Sequence, residues 1–122
     1  MKKLLITVLL SAIPSIVLAH HSAAPFDFTQ SVVLNGEVKE FSVKNPHSVI
    51  VMEITDEERG TRDIEFEGMS ASTFYRAGYS RGTVELGDTI SVTIAPRHSG
   101  EDGGFVMSFE TKDGESFGFS GP

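Results

Sequence analysis

The sequence predicts a small all-β domain with one short helix, folded as an OB-fold-like barrel of five to six strands. Three observations lead to this class. Short segments with alternating apolar and polar residues recur along the chain, turn signals separate them at regular spacing, and one helical segment stands between the third and the fourth strand. A β-sandwich with an incidental helix satisfies the same alternation and is the alternative architecture.

The predicted elements follow the order β, β, β, α, β, β, with a short last strand in the tail. The strand segments are 32–43, 48–55, 61–68, 84–96 and 105–112. The fourth segment opens with a turn at 86–88, and its strand follows that turn. The helix lies within 70–79, where Ser70 is the N-cap and Gly78 ends it. Gly36 interrupts the first strand and predicts a bulge or bend at that position.

Residues 1–19 are predicted to be a secretory signal peptide. Lys2 and Lys3 precede an apolar run, and 17–19 (Val-Leu-Ala) place small or modest side chains at a cleavage site. The apolar run is shorter than the roughly 20 residues of a membrane span, so we expect no membrane insertion after cleavage; an uncleaved anchor is the alternative. Residues 20–31 are then an N-terminal arm, and residues 32–122 form a single barrel domain.

Composition favours a periplasmic or secreted protein. The chain has no cysteine, which excludes disulfides and fits a bacterial periplasm better than a disulfide-stapled extracellular domain. Loss of Lys2 and Lys3 with the signal moves the formal net charge from -7 to -9. Such an acidic domain is a poor partner for nucleic acid or an anionic membrane, and it attracts cations.

The four histidines are the main candidates for a functional site, and none lies within a predicted strand. His20 and His21 begin the arm, His47 follows Asn-Pro in the loop between the first two strands, and His98 lies in the loop between the fourth and the fifth. Those two loops flank the usual ligand face of an OB fold. An arm of about ten residues, at roughly 3.3 Å each, is long enough to reach that face. The sequence therefore predicts a metal site built from all four.

The predicted metal is copper, with zinc as the alternative. Cleavage after Ala19 would free the α-amine of His20, and a metal displaces the proton of such an amine near neutral pH. Nitrogen-rich sites bind Cu(II) best among the common divalent ions. In a zinc site His21 would take the place of the amine. The leading hypothesis is a non-enzymatic metal-binding module with His20, His47 and His98 as ligands and His21 as support.

A second hypothesis is a binding module that uses no metal and takes a small ligand or a periplasmic partner protein. Its binding groups would be polar residues of the loops and of the helical segment, namely Asn45, Tyr75, Arg76, Arg81 and Arg97. Anchoring of the helix to the barrel is the simpler role for the Tyr75–Arg81 segment.

A copper-dependent redox enzyme with an N-terminal histidine is the third hypothesis. It is the least favoured, because no segment defines a substrate groove and no nucleophile–base or phosphate-loop signature is present. Glu65 and Glu67 alternate on the third strand. Their placement favours the solvent face, and acceptance of an imidazole N–H is the alternative.

Three segments, AHHSAAPFD, GEVKEFSVKNPHSVIVMEI and LGDTISVTIAPRHSG, resemble a family of small exported bacterial proteins of unknown function. That family has paired histidines before Phe-Asp, a Gly-x-Val strand, an Asn-Pro-His element, and a Gly-Asp turn before a strand that ends near Pro. The resemblance implies an exported β-barrel-like domain and names no reaction. An aromatic residue, often Trp, precedes the Asn-Pro-His element in such proteins, whereas Val43 and Lys44 stand there here. The resemblance extends to His20, His21, Asn45, Pro46, His47 and His98.

Overall fold

The structure is a computed structural model that describes residues 25–119. The predicted signal peptide and both His20 and His21 lie outside the described residues. The strands are β1 (Val32–Ser42), β2 (Ser48–Asp56), β3 (Gly60–Gly68), β4 (Thr89–Pro96), β5 (Gly104–Glu110) and β6 (Ser116–Gly118), and the helix is α1 (Ala71–Arg76).

The six strands form one sheet in the order β3-β2-β1-β4-β5-β6, and an additional β3–β5 pairing closes five of them into a barrel. The closing pair is parallel and joins Glu67 to Phe105, while the other neighbours are antiparallel. β6 extends the sheet beyond β5. This arrangement, with α1 between β3 and β4 in the chain, confirms the predicted OB-fold-like barrel over the sandwich.

Alternation along the strands builds the core of the barrel. Every second residue is buried along most of β2 and in the second half of β3, and Ile50, Met52 and Phe66 are fully enclosed. Because side chains alternate between the two faces of a strand, the polar residues between them face outward. Met69 is buried as well, and Met107 packs against the core. Met52, Met69 and Met107 are therefore part of the hydrophobic packing.

Helix α1 closes against the barrel through aromatic contacts. The Ser70 hydroxyl accepts a hydrogen bond from the Thr73 amide at 3.4 Å, which confirms the predicted N-cap. The ring of Phe74 is fully buried and lies 6.0 Å from that of Phe109. α1 ends at Arg76 with Ala77 as its C-cap, and Gly78 follows with a positive φ of 96°, which confirms the predicted glycine stop. Within residues 25–119 no helix has the length and the apolar content needed to cross a membrane.

The bulge in β1 lies at Lys39 and not at Gly36, where the sequence predicts it. The register with β2 shifts between Val38 and Glu40. Gly36 has a different role, since a Cβ atom there would lie 2.4 Å from the carbonyl oxygen of Glu53. Glycine is therefore needed for the close approach of β1 to β2.

We predict that Gly36→Ala destabilises the protein by about 2 kcal/mol, because overpacking of a tight interior typically costs about 1–3 kcal/mol. Gly118→Ala is the matched control, since a Cβ atom on that strand glycine would meet nothing within 4 Å. Urea unfolding followed by circular dichroism measures both. Equal stabilities of the two variants would contradict the close approach.

Candidate functional site

An aromatic cluster covers the outside of the barrel where it closes. Phe105 lies on the same face as Glu67, because directly paired residues of neighbouring strands point to the same side. The arm packs Phe26 and Phe28 onto Phe105, with ring centroids 5.7 and 5.6 Å apart. Phe105 is only 5% exposed as a result. We call these three rings the outer aromatic cluster.

His47 lies at the edge of this cluster and contacts Glu67. Its ring is nearly perpendicular to that of Phe105, at 6.2 Å between centroids, and its Nδ1 contacts the Oε1 of Glu67. The strand register brings the two together, since Glu67 pairs with Val49 and His47 lies two residues before Val49, which makes it a diagonal neighbour of Glu67. For Glu67 the structure therefore shows the alternative interpretation, contact with an imidazole, whereas Glu65 is exposed as the favoured interpretation expects.

His98 lies beside the arm. Its amide donates to the Pro25 carbonyl at 2.9 Å, and the Asp27 amide donates to the Pro96 carbonyl at 2.8 Å. These bonds flank an isolated bridge between Phe26 and Arg97, so the arm continues the sheet past the end of β4. The imidazole of His98 is exposed. The first described residue of the chain thus lies next to one of the two loop histidines.

The carboxylate of Asp27 holds the turn that follows the bridge. It accepts hydrogen bonds from the amide and hydroxyl of Thr29, at 3.0 and 2.5 Å, and from the Gln30 side chain at 2.8 Å. The Thr29 hydrogen bonds are the main cause that keeps the pKa of Asp27 below its usual value, and the charge of His98 contributes least. The carboxylate therefore stabilises the arm next to His98.

The two loop histidines adjoin different rings of the outer aromatic cluster. His47 approaches Phe105 from the β1–β2 loop, whereas His98 follows Arg97, whose guanidinium lies 5.3 Å from the centre of the Phe26 ring. Among residues 25–119 no group of three or more histidine, aspartate or glutamate side chains is placed to hold a metal ion. A three-ligand site would thus need a contribution from His20 or His21.

Asn45 and Arg97 both make contacts within the fold. The Ala71 amide at the start of α1 donates to the Asn45 side-chain oxygen and to the Lys44 carbonyl, each at 3.1 Å. A Cβ atom on Gly103 would lie 2.8 Å from the Arg97 Nε. Asn45 therefore joins the β1–β2 loop to the helix, and Arg97 is enclosed between the arm and the β4–β5 loop.

A shallow cleft beside α1 contains part of the predicted ligand-binding set. It has a volume of about 170 Å³ and is lined by Phe41, Val43, Tyr75, Tyr79 and Arg81. Tyr79 is buried and stacks on Phe41 at 5.5 Å, and burial raises the pKa of its phenol. Tyr79 anchors the helical segment. The half-exposed Tyr75 and the exposed Arg81 line the cleft. Arg76 is exposed and does not line it.

Sequence reasoning missed a charge cluster that holds the β4–β5 loop. The Asp102 carboxylate accepts hydrogen bonds from Arg59 at 2.7 Å and from Arg62 at 2.7 and 3.0 Å. Arg62 also pairs with Asp56 at 2.6 Å. The hydrogen bonds from Arg62 are the main cause of a lowered pKa at Asp102. The β2–β3 hairpin and the strand that follows it thus hold the loop that carries His98.

Comparison with known proteins places the chain in a family without assigning an activity. Residues 8–108 match a family of unknown function, DUF6152. Because the match covers most of the sequence, the chain belongs to that family. The match spans all four histidines. A search of curated proteins and a search of solved structures found no match.

We predict that Asp102→Asn lowers stability at pH 7. The lowered pKa of Asp102 in the folded protein means that its carboxylate stabilises the fold above the unfolded-state pKa of roughly 3.9, and that this contribution is lost as the pH falls through the folded-state value. The stability difference from wild type should therefore be constant above about pH 5 and shrink below about pH 4. Urea unfolding at several pH values measures this difference.

Glu57→Gln is the matched control for this experiment, because Glu57 lies at the exposed tip of the same hairpin. Its stability to urea is expected to equal that of wild type at each pH value. A difference between wild type and Asp102→Asn that persists unchanged at pH 3 would contradict the assignment.

Proposed function

We propose that this DUF6152 member is an exported, non-enzymatic metal-binding module. Copper is the proposed metal, with zinc as the alternative. His20, His47 and His98 are the proposed ligands, and His21 supports them. The metal would enter where the arm meets the outer aromatic cluster, in the periplasm or outside the cell.

The position of Pro25 is the observation that carries this proposal. Its carbonyl binds the His98 amide at 2.9 Å, and Phe26 packs on Phe105, the ring against which His47 lies. The chain that bears His20 therefore joins the barrel at the cluster flanked by both loop histidines. Five residues of chain span at most about 17 Å, which limits how far from Pro25 the His20 side chain can bind.

The ligand chemistry supports copper. Three imidazoles, together with the α-amine that cleavage after Ala19 would free, make a nitrogen-rich set, for which Cu(II) has the highest affinity among the common divalent metals. The amine and imidazole of one residue can close a chelate ring. A net charge of -7 for the whole chain also favours cation binding.

We predict that His47→Ala combined with His98→Ala weakens Cu(II) binding by more than about 100-fold. The loss of an outer partner alone costs about 10–100-fold in metal affinity, and here two ligands are removed. Protein exported to the periplasm would be trimmed by the cell, and its intact mass would be measured by native mass spectrometry with and without one equivalent of Cu(II). A mass that begins at His20 and includes one copper is expected.

Glu57→Gln combined with Glu58→Gln is the control, since it removes two exposed charges without touching a histidine. It should retain the wild-type Cu(II) affinity. His47→Ala and His98→Ala, measured singly, show how much of the loss of Cu(II) affinity comes from each loop. Undiminished affinity in the double histidine variant, or a loss equal to that of the control, would rule out the site.

A metal-independent binding module is the second candidate, and the cleft beside α1 favours it. Tyr75 is 50% exposed and lines the cleft with Arg81. A planar ring that carries a carboxylate matches this pair, because the ring can stack on tyrosine and the carboxylate can bind the guanidinium.

Benzoate is a suitable probe for this cleft. In NMR titrations with a chelator present, we predict that benzoate shifts the amide signals of Tyr75 and Arg81, and that Arg81→Gln weakens the response. Arg76→Gln is the matched control, because Arg76 is an exposed arginine next to Tyr75 on α1 and lies outside the cleft lining. The same response in both arginine variants would indicate a general charge effect and exclude the cleft.

A further inference from the structure

The His47 imidazole is held by two neighbouring strands. The carboxylate of Glu67 on β3 contacts its Nδ1, and the ring of Phe105 on β5 lies at 88° to it, with centroids 6.2 Å apart. Glu67 and Phe105 are the residues that pair directly across the barrel closure. Two side chains of one strand pair therefore hold the ring, and the carboxylate does so at Nδ1.

The contact with Glu67 determines which nitrogen of His47 is free. An ionised carboxylate only accepts hydrogen bonds, so Nδ1 must carry the proton that joins the pair. A neutral imidazole has one N–H group, and the lone pair is then on Nε2. His47 is partly exposed, with 40% of its side chain accessible, so a ligand can approach this nitrogen.

We infer that Glu67 is a positioning residue that keeps His47 in the Nδ1–H tautomer and presents Nε2 to a metal ion. This inference rests on the proposed function and adds a residue to it. Histidine ligands of metals almost always donate their second N–H to a carboxylate, a carbonyl or a water, and this partner sets the tautomer and raises the basicity of the ligating nitrogen. Glu67 acts through His47 and does not itself bind the metal.

The neighbouring Glu65 provides a matched control. It lies two residues earlier on the same face of β3, is exposed, and follows the same alternation. The two glutamates carry the same charge, so a general electrostatic attraction of cations would depend on both. Of the two glutamates, Glu67 is the one that contacts His47.

Long-range ¹H–¹⁵N NMR of the imidazole nitrogens in the metal-free protein tests the tautomer. At about pH 8.5, where an ordinary imidazole is neutral, the wild-type His47 should be protonated on Nδ1. Glu67→Ala should move the proton to Nε2, the tautomer that a free imidazole side chain prefers in water. Glu65→Ala should leave the spectrum of His47 unchanged. An Nε2–H tautomer in the wild-type protein overturns the inference.

Copper affinity tests the positioning role. Glu67→Ala should weaken Cu(II) binding by about 10–100-fold, the range for loss of such a partner, and Glu65→Ala should not. Glu67→Gln retains an acceptor oxygen without the charge and should fall between wild type and Glu67→Ala. Wild-type affinity in Glu67→Ala overturns this inference alone. A wild-type protein that binds no Cu(II) overturns the proposed function and, with it, the presentation of Nε2 to a metal. The tautomer experiment on the metal-free protein then tests the effect of Glu67 on His47 separately.

Discussion

The parallel pairing of Glu67 with Phe105 is the contact on which the rest of the molecule depends. It joins β3 to β5 and converts an open six-stranded sheet into a barrel. Because paired residues point to the same side, it also places one carboxylate and one aromatic ring next to each other on the outer surface. The ring binds the arm and the carboxylate binds His47. Barrel closure and the candidate site are therefore built from the same two residues.

The arm belongs to the folded domain because it covers the outer surface of that closure. Burial of a phenylalanine side chain is worth about 1.5–3 kcal/mol, and favourable aromatic pairs add about 0.5–1.5 kcal/mol each. Phe26 is 3% exposed and contacts both Phe28 and Phe105. Packing of this size offsets the entropy lost when a few arm residues are ordered. The start of the described chain is thus fixed next to His98 and is not free to move over the barrel surface.

Local patterns in the sequence predict the elements, the barrel and the loop positions of His47 and His98. Alternation and turn residues act over a few positions, so they are visible without a structure. The bulge at Lys39 also leaves a local signal, since Val38 and Phe41 are three positions apart where regular alternation requires an even spacing. Sequence reasoning overlooked that signal and chose Gly36, whose role depends on the Glu53 carbonyl of another strand.

Contacts between distant segments could not be predicted in the same way. Glu67 binds His47 because of the β2–β3 register, and Asp102 binds Arg62 across 40 positions of sequence. A glutamate that alternates on a strand has the same local pattern whether it faces water or an imidazole. The histidines of the candidate site could therefore be identified from the sequence. The residues that contact them could be assigned only once the strand pairing was known.

The fold holds the side chains of the proposed ligands to different degrees. His47 has both an aromatic support and a carboxylate partner, so little orientational freedom is lost when its Nε2 binds. His98 is fixed only through its backbone amide, and its imidazole is exposed. The remaining proposed ligands belong to the chain that precedes Pro25. We therefore expect the proposed metal to lose affinity mainly through the ordering of the exposed His98 imidazole, and little at His47, whose ring is held by residues of the strand pair that closes the barrel.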